Sequence, residues 1–446
     1  MDKQARHILD TALDQISEWK ESYGAWDQHP ALSVSQEKAE HVFNELAGRL
    51  KGTFPFHHPV YAGQMLKPPH PLTWAAYAMA MTINPNNHAL DGGPPSSEME
   101  KEAVAELARF FGYGDEFLGH LTASGTIANL EALWIARESH PKKKIAFSEN
   151  AHYTHERMCS VLQVEGTKIP VRENGDFDLD AINPQEIGTV VVTLGTTGLG
   201  EVEPLQQVLL WAREHGIRIH IDAAYGGFFR ALKDADLAEE TAWNLMEEAD
   251  SIVVDPHKHG LQPYGCGCVL FKDPAVGKFY KHDSPYTYFT SEDLHLGEIS
   301  LECSRAGAAA VAFWATLQLF PLKESEGFGP ILRSCLTAAK EMFEKIGASK
   351  KLKAYKYPEL DILGYFPSEA TTTAEISEKA KAVFNVGMHE RTFYLSLYRV
   401  PAPSFKRLHP EYEVNSEDVT ILRSVFMKPE QQNFVETLLH RIETHL

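Results

Sequence analysis

Two short apolar runs, each ending on charged residues, constrain this chain more than any other feature. Residues 217–221 (IRIHI) lead to Asp222, and residues 251–254 (SIVV) lead to Asp255 and, three residues later, Lys258. Runs rich in β-branched residues that are separated by a helix-length segment predict neighbouring parallel strands. Ligands of open α/β sheets bind beyond the carboxyl ends of such strands. We therefore expect Asp222 and Lys258 to face one crevice.

An acid and a lysine in one crevice have a specific chemical use. The lysine can form a Schiff base with a carbonyl cofactor, and the carboxylate can keep a pyridine nitrogen protonated. Taken singly, an aspartate at a strand end is usually a turn or cap residue, and a lysine is usually a solvated surface charge. The combination of Asp222 with Lys258 favours a cofactor site.

Residues 220–227 (HIDAAYGG) and 255–258 (DPHK) resemble the group II pyridoxal-phosphate (PLP) decarboxylases. That family includes glutamate, aromatic-amino-acid, tyrosine and aspartate decarboxylases, and sphingosine-phosphate lyase is a relative. The resemblance extends over roughly residues 55–430. It implies an α/β chain of PLP fold type I, with a mainly parallel seven-stranded sheet in a large domain and a small C-terminal α+β domain.

Residues 122–126 (TASGT) stand where a strand pattern changes to a helix pattern. Hydroxyl groups and a glycine at a helix N-terminus can bind an anion, because free N–H groups and the helix dipole converge there. An ordinary Ser/Thr helix cap is the alternative. The resemblance favours a phosphate site, although Ile127 stands where the family usually has an acid.

The resemblance also assigns roles to individual side chains. Lys258 would form the Schiff base with PLP, Asp222 would keep the pyridine nitrogen protonated, and His152 would stack on the cofactor ring. A tyrosine of the segment 282–307, either Tyr286 or Tyr288, would donate a proton to the reacting carbon. The implied cofactor-binding residues are Ser124, Gly125, Thr126, His152, Thr193, Asp222, Ala224, His257 and Lys258.

Substrate recognition is implied for two further residues. Arg423 lies in a strand pattern similar to one in which the family places an arginine that pairs with the substrate α-carboxylate. His58 lies in the segment 55–71, which resembles a family segment near the substrate pocket. The aromatic residues of this segment favour an aromatic substrate side chain, whereas His57, His58 and Lys67 would suit an acidic one. Both alternatives stay open.

The implied reaction is the PLP-dependent decarboxylation of an L-amino acid to its amine and CO2, which would make the chain a carboxy-lyase. Two alternatives use the same residues. A carbon–carbon lyase of the sphingosine-phosphate-lyase type would cleave a phosphorylated amino alcohol, and a pseudo-enzyme would bind PLP without catalysis. Intact Lys258, Asp222 and His152 argue against the pseudo-enzyme.

The N-terminal residues, 1 to about 50, show two amphipathic helix patterns divided by a loop. In the resembling family this segment helps to build a dimer, so we expect it to clasp a second subunit in a homodimer with shared active sites. Three parts are predicted: an N-terminal helical segment (1–60), a large PLP-binding domain (61–320) and a small α+β domain (321–446).

Composition excludes several classes of partner. The net charge of −19 argues against binding to nucleic acid or to anionic membranes. No apolar run approaches the length of a membrane-spanning helix, and the N-terminus lacks the apolar core of a signal peptide. Five cysteines without framework spacing predict free thiols in a reducing cytoplasm. No metal site is predicted, because the His57–His58 and Cys266–Cys268 pairs lack further ligands.

Overall fold

The structure is a computed structural model that describes residues 3–88, 92–172, 174–233, 237, 240–281 and 300–446. Its helices are α1 (Lys3–Glu21), α2 (Gln36–Leu50), α3 (Pro71–Met81), α4 (Pro94–Phe110), α5 (Gly125–Ser139), α6 (Thr154–Leu162), α7 (Leu205–His215), α8 (Glu240–Asn244), α9 (Gly307–Leu319), α10 (Phe328–Ala348), α11 (Thr373–Glu390), α12 (Ala402–Leu408) and α13 (Val435–Glu443). Its strands are β1 (Leu118–Thr122), β2 (Lys144–Ser148), β3 (Gly166–Ile169), β4 (Ile187–Thr193), β5 (Arg218–Asp222), β6 (Ser251–Val254), β7 (Gly267–Phe271), β8 (Leu352–Ala354), β9 (Ile362–Pro367), β10 (Ser396–Pro401) and β11 (Asp418–Val425). Among the described helices, none is both long and apolar enough to cross a membrane.

The first seven strands form one sheet in the order β1-β7-β6-β5-β4-β2-β3. The strands β2 to β6 pair in parallel, and β7 runs antiparallel to both β6 and β1. The prediction that β5 and β6 are parallel neighbours is confirmed. The sequence also suggests that the strand Cys268 to Phe271 runs antiparallel at the sheet edge. Its direction is confirmed, but the edge position is wrong: β7 is buried along its whole length, and a neighbour on each side satisfies its backbone groups.

Helices cover this sheet and explain its apolar strands. All seven residues of β4 are buried, which is typical of a parallel strand packed on both faces. Helix α5 contacts β6 and β7, α7 contacts β4 and β5, and α4 contacts β1. Because β4, β5 and β6 are parallel, their carboxyl ends meet at the same edge of the sheet. The predicted α/β class is therefore confirmed.

The last four strands form a second, antiparallel sheet in the order β10-β11-β9-β8. Helix α10 contacts β8 and β9, α11 contacts β9, β10 and β11, and a separate core includes Leu363, Phe393 and Leu422. The α+β class predicted for this part is confirmed. The strand β8 was not predicted, because three residues are too few to show a periodic pattern.

The two predicted N-terminal helices are present as α1 and α2. Helix α1 packs on α3 and buries Ala5 and Leu9. Helix α2 buries none of its residues and exposes Val42, Phe43 and Leu46. The second helix therefore presents an apolar face that has no partner among the described residues.

Candidate active site

A pocket opens at the carboxyl edge of the large sheet, where β4, β5 and β6 end beside the N-terminus of α5. It is lined by Gly125, Thr126, Asn129, His152, Thr154, Thr193, Gly195, Thr197, Asp222, Ala224, Tyr225, Asp255 and Lys258. The structure thus brings together seven of the residues predicted from the sequence: Gly125, Thr126, His152, Thr193, Asp222, Ala224 and Lys258. Strand direction explains this convergence, because each contributing strand delivers its last residues to the same edge.

The carboxylate of Asp222 is buried and tightly held. One oxygen accepts a hydrogen bond from the Ala224 N–H at 3.1 Å, and the other lies 2.9 Å from Nε2 of His155. Burial alone would raise the pKa of Asp222, but the hydrogen bond from His155 and the nearby charge of Lys258 outweigh it. The pKa therefore lies well below its usual range, and the group is an anion at neutral pH.

The Lys258 amine is held by an ion pair and is still partly exposed to solvent. Its Nζ lies 3.2 Å from Oδ2 of Asp255, and about a fifth of the side chain is exposed, at 21%. Asp255 is itself buried, and its other oxygen, Oδ1, has no hydrogen-bond partner in the described part of the chain. The same carboxylate lies 3.5 Å from Nε2 of His257. The Asp255 carboxylate thus holds the lysine amine at the pocket while leaving hydrogen-bonding capacity for a further group.

The start of α5 directs backbone N–H groups towards the pocket. The Ser124 hydroxyl accepts a hydrogen bond from the Ile127 N–H at 3.4 Å, so this serine is a helix cap. The N–H groups of Gly125 and Thr126 precede the first backbone hydrogen bond of the helix, from Ala128 to Ser124. A Cβ atom at Gly125 would lie 2.5 Å from Oδ2 of Asp255, so only glycine fits there. The helix cap at Ser124 is confirmed, and the phosphate site stays a prediction.

His152 lies at the start of α6 with its ring towards the pocket. Its Nδ1 accepts a hydrogen bond from the Thr154 N–H at 3.2 Å and lies 2.6 Å from the Thr154 hydroxyl. Burial lowers the pKa of His152, against the opposing charge of Asp222. The imidazole is therefore neutral at neutral pH, with its orientation set by Thr154.

Arg423 is buried on β11 and directs its donors to the protein itself. Its Nε donates to the Gly198 carbonyl at 2.6 Å, and Nη2 donates to the Thr197 carbonyl at 2.7 Å. Its Nη1 donates to the Ser396 hydroxyl at 3.0 Å. Arg423 does not line the pocket, but it holds the loop that brings Thr197 there.

Other predicted residues lie apart from the lining. His58 is exposed, its Nδ1 accepts from the Val60 N–H at 3.0 Å, and its ring packs edge-on against Phe434. His257 sits next to the pocket with Nδ1 2.8 Å from the Cys266 carbonyl oxygen. Tyr286 and Tyr288 lie outside the described residues.

Several residues of the site were not predicted from the sequence. His155, which contacts Asp222, lies three residues after His152, in the first turn of α6, whereas His152 precedes that helix by two residues. Asn129 is a polar residue within the apolar pattern of α5, and it bonds to the buried His220 at 2.9 Å. A search for polar residues inside otherwise apolar helices would have found it. Tyr225 lies three residues after Asp222 in the segment 220–227, and the sequence predicted no role for it.

Comparison with known proteins identifies a protein family. The description "Pyridoxal-dependent decarboxylase conserved domain" belongs to the family model that matches residues 30–360. An L-tyrosine decarboxylase of Enterococcus faecium is 28% identical over 79% of this chain and 76% of its own length. A probable L-tyrosine/L-aspartate decarboxylase of Methanothrix thermoacetophila is 27% identical over 63% of this chain and 70% of its own. An L-2,4-diaminobutyrate decarboxylase of Acinetobacter baumannii is 25% identical over 68% of this chain and 66% of its own.

Solved structures support the fold. The structure of mouse CSAD superposes with a TM-score of 0.79 at 16% identity, covering 100% of this chain and 99% of that one. Oryza sativa TDC with PLP and tryptamine gives 0.78 at 16% identity, covering 100% and 98%. The predicted PLP fold type I is therefore confirmed.

Proposed function

The chain belongs to the pyridoxal-dependent decarboxylase family, and from that premise we propose that it decarboxylates an aromatic L-amino acid, with L-tyrosine the first candidate. Membership and the decarboxylase relatives confirm the predicted PLP-dependent carboxy-lyase. Family membership does not decide between an aromatic and an acidic substrate. The relatives are named for different amino acids: tyrosine, aspartate and diaminobutyrate.

One observation carries the aromatic proposal: the cations that would favour an acidic substrate lie elsewhere. Lys67 is buried and donates to the Met427 carbonyl at 3.2 Å, and burial lowers its pKa. His58 packs against Phe434 and, like Lys67, is absent from the pocket lining. An acidic side chain would need a desolvated cation to replace its hydration, because an unpaired buried charge is strongly unfavourable.

An aromatic cluster adjoins the segment that Arg423 reaches. Tyr61 and Tyr394 are both buried, and their ring centroids lie 6.0 Å apart, with Phe56 edge-on to Tyr61 at 4.8 Å. Gly63, two residues after Tyr61, accepts a hydrogen bond from the Ser396 hydroxyl at 3.0 Å. This arrangement supports an apolar wall near the substrate position.

The residues of the pocket fit pyridoxal phosphate. The buried anion Asp222, the amine of Lys258 and the free N–H groups at Gly125 and Thr126 match a pyridine nitrogen, an aldehyde and a phosphate. When bound, PLP supplies an electron sink that accepts the electron pair of the bond broken at the substrate α-carbon.

The chain's own groups have distinct roles in this proposal. Asp222 holds a proton on the pyridine nitrogen, and His155 keeps that carboxylate oriented and ionised. Asp255 holds the Lys258 amine by a contact of 3.2 Å, so that the amine can anchor the cofactor aldehyde and yield it to the substrate amine. The neutral imidazole of His152 would cover the cofactor ring and exclude water from that side.

Two predicted groups complete the reaction. We propose that Tyr286 or Tyr288 donates the proton that replaces CO2. We also propose that Arg423 attracts the α-carboxylate while keeping its bond to the Thr197 carbonyl, since its five donors exceed the contacts already made. The role of His58 stays a prediction.

A reaction with single amino acids tests the substrate. The PLP-loaded protein is incubated with L-tyrosine, L-phenylalanine, L-tryptophan, L-aspartate or L-glutamate, and CO2 and amine are measured by mass spectrometry. We expect amine from L-tyrosine, none with Lys258→Ala, and an unchanged substrate preference in Lys67→Met. Amine formed only from L-aspartate or L-glutamate, and lost in Lys67→Met, would contradict the aromatic proposal.

We also propose a homodimer with shared active sites, supported by the apolar face of α2. Phe43 is 69% and Leu46 46% exposed in the single chain, a patch of the kind that marks protein interfaces. Light scattering should give twice the chain mass of 49.9 kDa. Phe43→Glu should lower that mass, and Glu37→Lys on the same helix should not. An unchanged mass in Phe43→Glu would exclude α2 from the interface.

A cytoplasmic location is proposed with it. The five cysteines are free thiols, four of them buried, and a reducing compartment keeps thiols in that state. Fractionation of cells that produce the protein should recover it in the cytoplasm; recovery in a secreted or membrane fraction would contradict this.

A further inference from the structure

A buried carboxylate of the C-terminal part lies against the segments that hold the cofactor residues. Asp361 directly precedes β9, and its side chain is fully buried. Its backbone carbonyl accepts from the Phe426 N–H at 2.8 Å, which fixes it to the second sheet. No part of the reaction described above uses it.

Asp361 bridges two segments of the large sheet. Its Oδ1 accepts a hydrogen bond from the Tyr225 hydroxyl at 2.6 Å. Its Oδ2 lies 3.2 Å from Nε2 of His259. Tyr225 follows Asp222 by three residues and lines the pocket, and His259 follows Lys258 directly.

The bridge is rigid and shielded from water. The rings of Tyr225 and His259 meet edge to face at 4.8 Å, and Phe229 meets His259 at 5.0 Å. His259 is fully buried, and burial lowers its pKa against the opposing charge of Asp361. Burial and the same carboxylate raise the pKa of Tyr225 well above its ordinary value. The neutral Tyr225 hydroxyl therefore donates a hydrogen bond to Asp361, and the neutral imidazole of His259 lies against the other oxygen of the same carboxylate.

The surroundings of Asp361 include two basic residues. Lys67 and Arg423 both act electrostatically on it. A buried carboxylate persists only where such partners and hydrogen bonds replace its hydration. The cluster therefore orders parts of both sheets around one anion.

We propose that Asp361 is a positioning residue for the cofactor: by holding Tyr225 and His259 together, it sets the distance between Asp222 and Lys258 that cofactor binding requires. Packing of the second sheet against the first thereby determines the affinity for PLP. This role is independent of which amino acid is the substrate, since the cofactor binds before it.

The test is the affinity of the full chain for PLP after Asp361→Asn. The cofactor is removed, PLP is titrated back, and binding is followed by absorbance and by circular dichroism in the visible band of the cofactor. We expect the dissociation constant to rise about tenfold or more, because a neutral amide replaces the carboxylate that accepts from the buried Tyr225 hydroxyl and contacts His259. The dichroism per bound cofactor should fall, because the ring is less firmly oriented.

Glu359→Gln is the matched control. Glu359 lies two residues away on the same segment and reaches the segment between β4 and α7, accepting from the Val202 N–H at 2.7 Å. It does not touch the residues beside Asp222 or Lys258. Its substitution should leave both the dissociation constant and the dichroism unchanged, whatever its effect on thermal stability.

Tyr225→Phe provides a second route. Its effect and that of Asp361→Asn should be less than additive in the double variant, because each breaks the same hydrogen bond. If Asp361→Asn does not fold, Tyr225→Phe alone must weaken PLP binding and lower the dichroism. The proposal is overturned if Asp361→Asn lowers only the melting temperature, if Glu359→Gln weakens PLP binding equally, or if the two substitutions are fully additive.

Discussion

The strand ends of the large sheet and the residues that reach the site from the second sheet serve it in different ways. Asp222, Lys258 and His152 line the pocket with their side chains. Arg423 and Asp361 are absent from the lining and instead hold the loop at Thr197 and the motif around Tyr225. The reactive groups thus come from the large sheet, whereas residues of the second sheet hold those groups in position. Substitutions in the two regions should therefore differ in both size and kind of effect.

The largest effect is expected for Lys258→Ala. Loss of the amine removes the group that anchors the cofactor, so kcat/KM should fall by at least ~1000-fold. The free energy of unfolding should change little, since the contact with Asp255 is the one ion pair of the Lys258 side chain within the described residues. Steady-state rates and urea unfolding check this. Lys272→Ala, an exposed lysine after β7, is the control. Retained activity in Lys258→Ala would remove this residue from the proposed mechanism.

Asp222→Asn should have the next largest effect. The amide keeps the shape but removes the buried negative charge, so kcat should fall roughly 100-fold. His155→Gln should cost less, because the carboxylate stays and loses only its partner. Asp250→Asn is the control, since Asp250 precedes β6 at the opposite edge of the same sheet. Equal losses in Asp222→Asn and Asp250→Asn would mean that the effect is one of folding.

Arg423→Ala should act differently from both. It leaves the Thr197 and Gly198 carbonyls without their donors, which should cost about 2–4 kcal/mol in the free energy of unfolding. Activity should fall by about tenfold, mainly through KM, as the loop shifts. Arg399→Ala on the neighbouring strand β10 removes an exposed arginine and should change neither quantity. A loss confined to kcat with normal stability would assign Arg423 a direct chemical role.

The smallest effect is expected for Glu203→Gln. Burial raises the pKa of Glu203 to about 8, although its hydrogen bonds, including one from the Thr193 N–H at 2.6 Å, oppose the shift. The folded chain keeps this proton while the unfolded chain releases it, so the stabilising contribution is lost as pH rises towards about 8. Glu203→Gln should weaken the dependence of the free energy of unfolding on pH. Above a pH of about 8 it should raise that free energy by about 1 kcal/mol. Urea unfolding at several pH values measures this, with the exposed Glu214→Gln as control. An unchanged slope would mean that Glu203 is ionised in the folded chain.

The sequence by itself determined the local features of the site. Apolar runs predicted β5 and β6, and their last residues put Asp222 and Lys258 at one edge, because strand direction and turn chemistry depend on near neighbours. The helix start at Ser124 to Thr126 followed from the same local signals. The resemblance of residues 220–227 and 255–258 to the family also implied the cofactor.

Only the tertiary structure decided the partners of these residues. His155 meets Asp222 across 67 positions, Tyr225 meets Asp361 across 136, and Arg423 meets Thr197 across 226. The same holds for β7, whose place inside the sheet depends on pairing with β1. No periodic pattern encodes such pairs, because they arise from how whole elements pack around a shared core. Local sequence thus determines which reactive groups the site contains, and tertiary packing determines their positions.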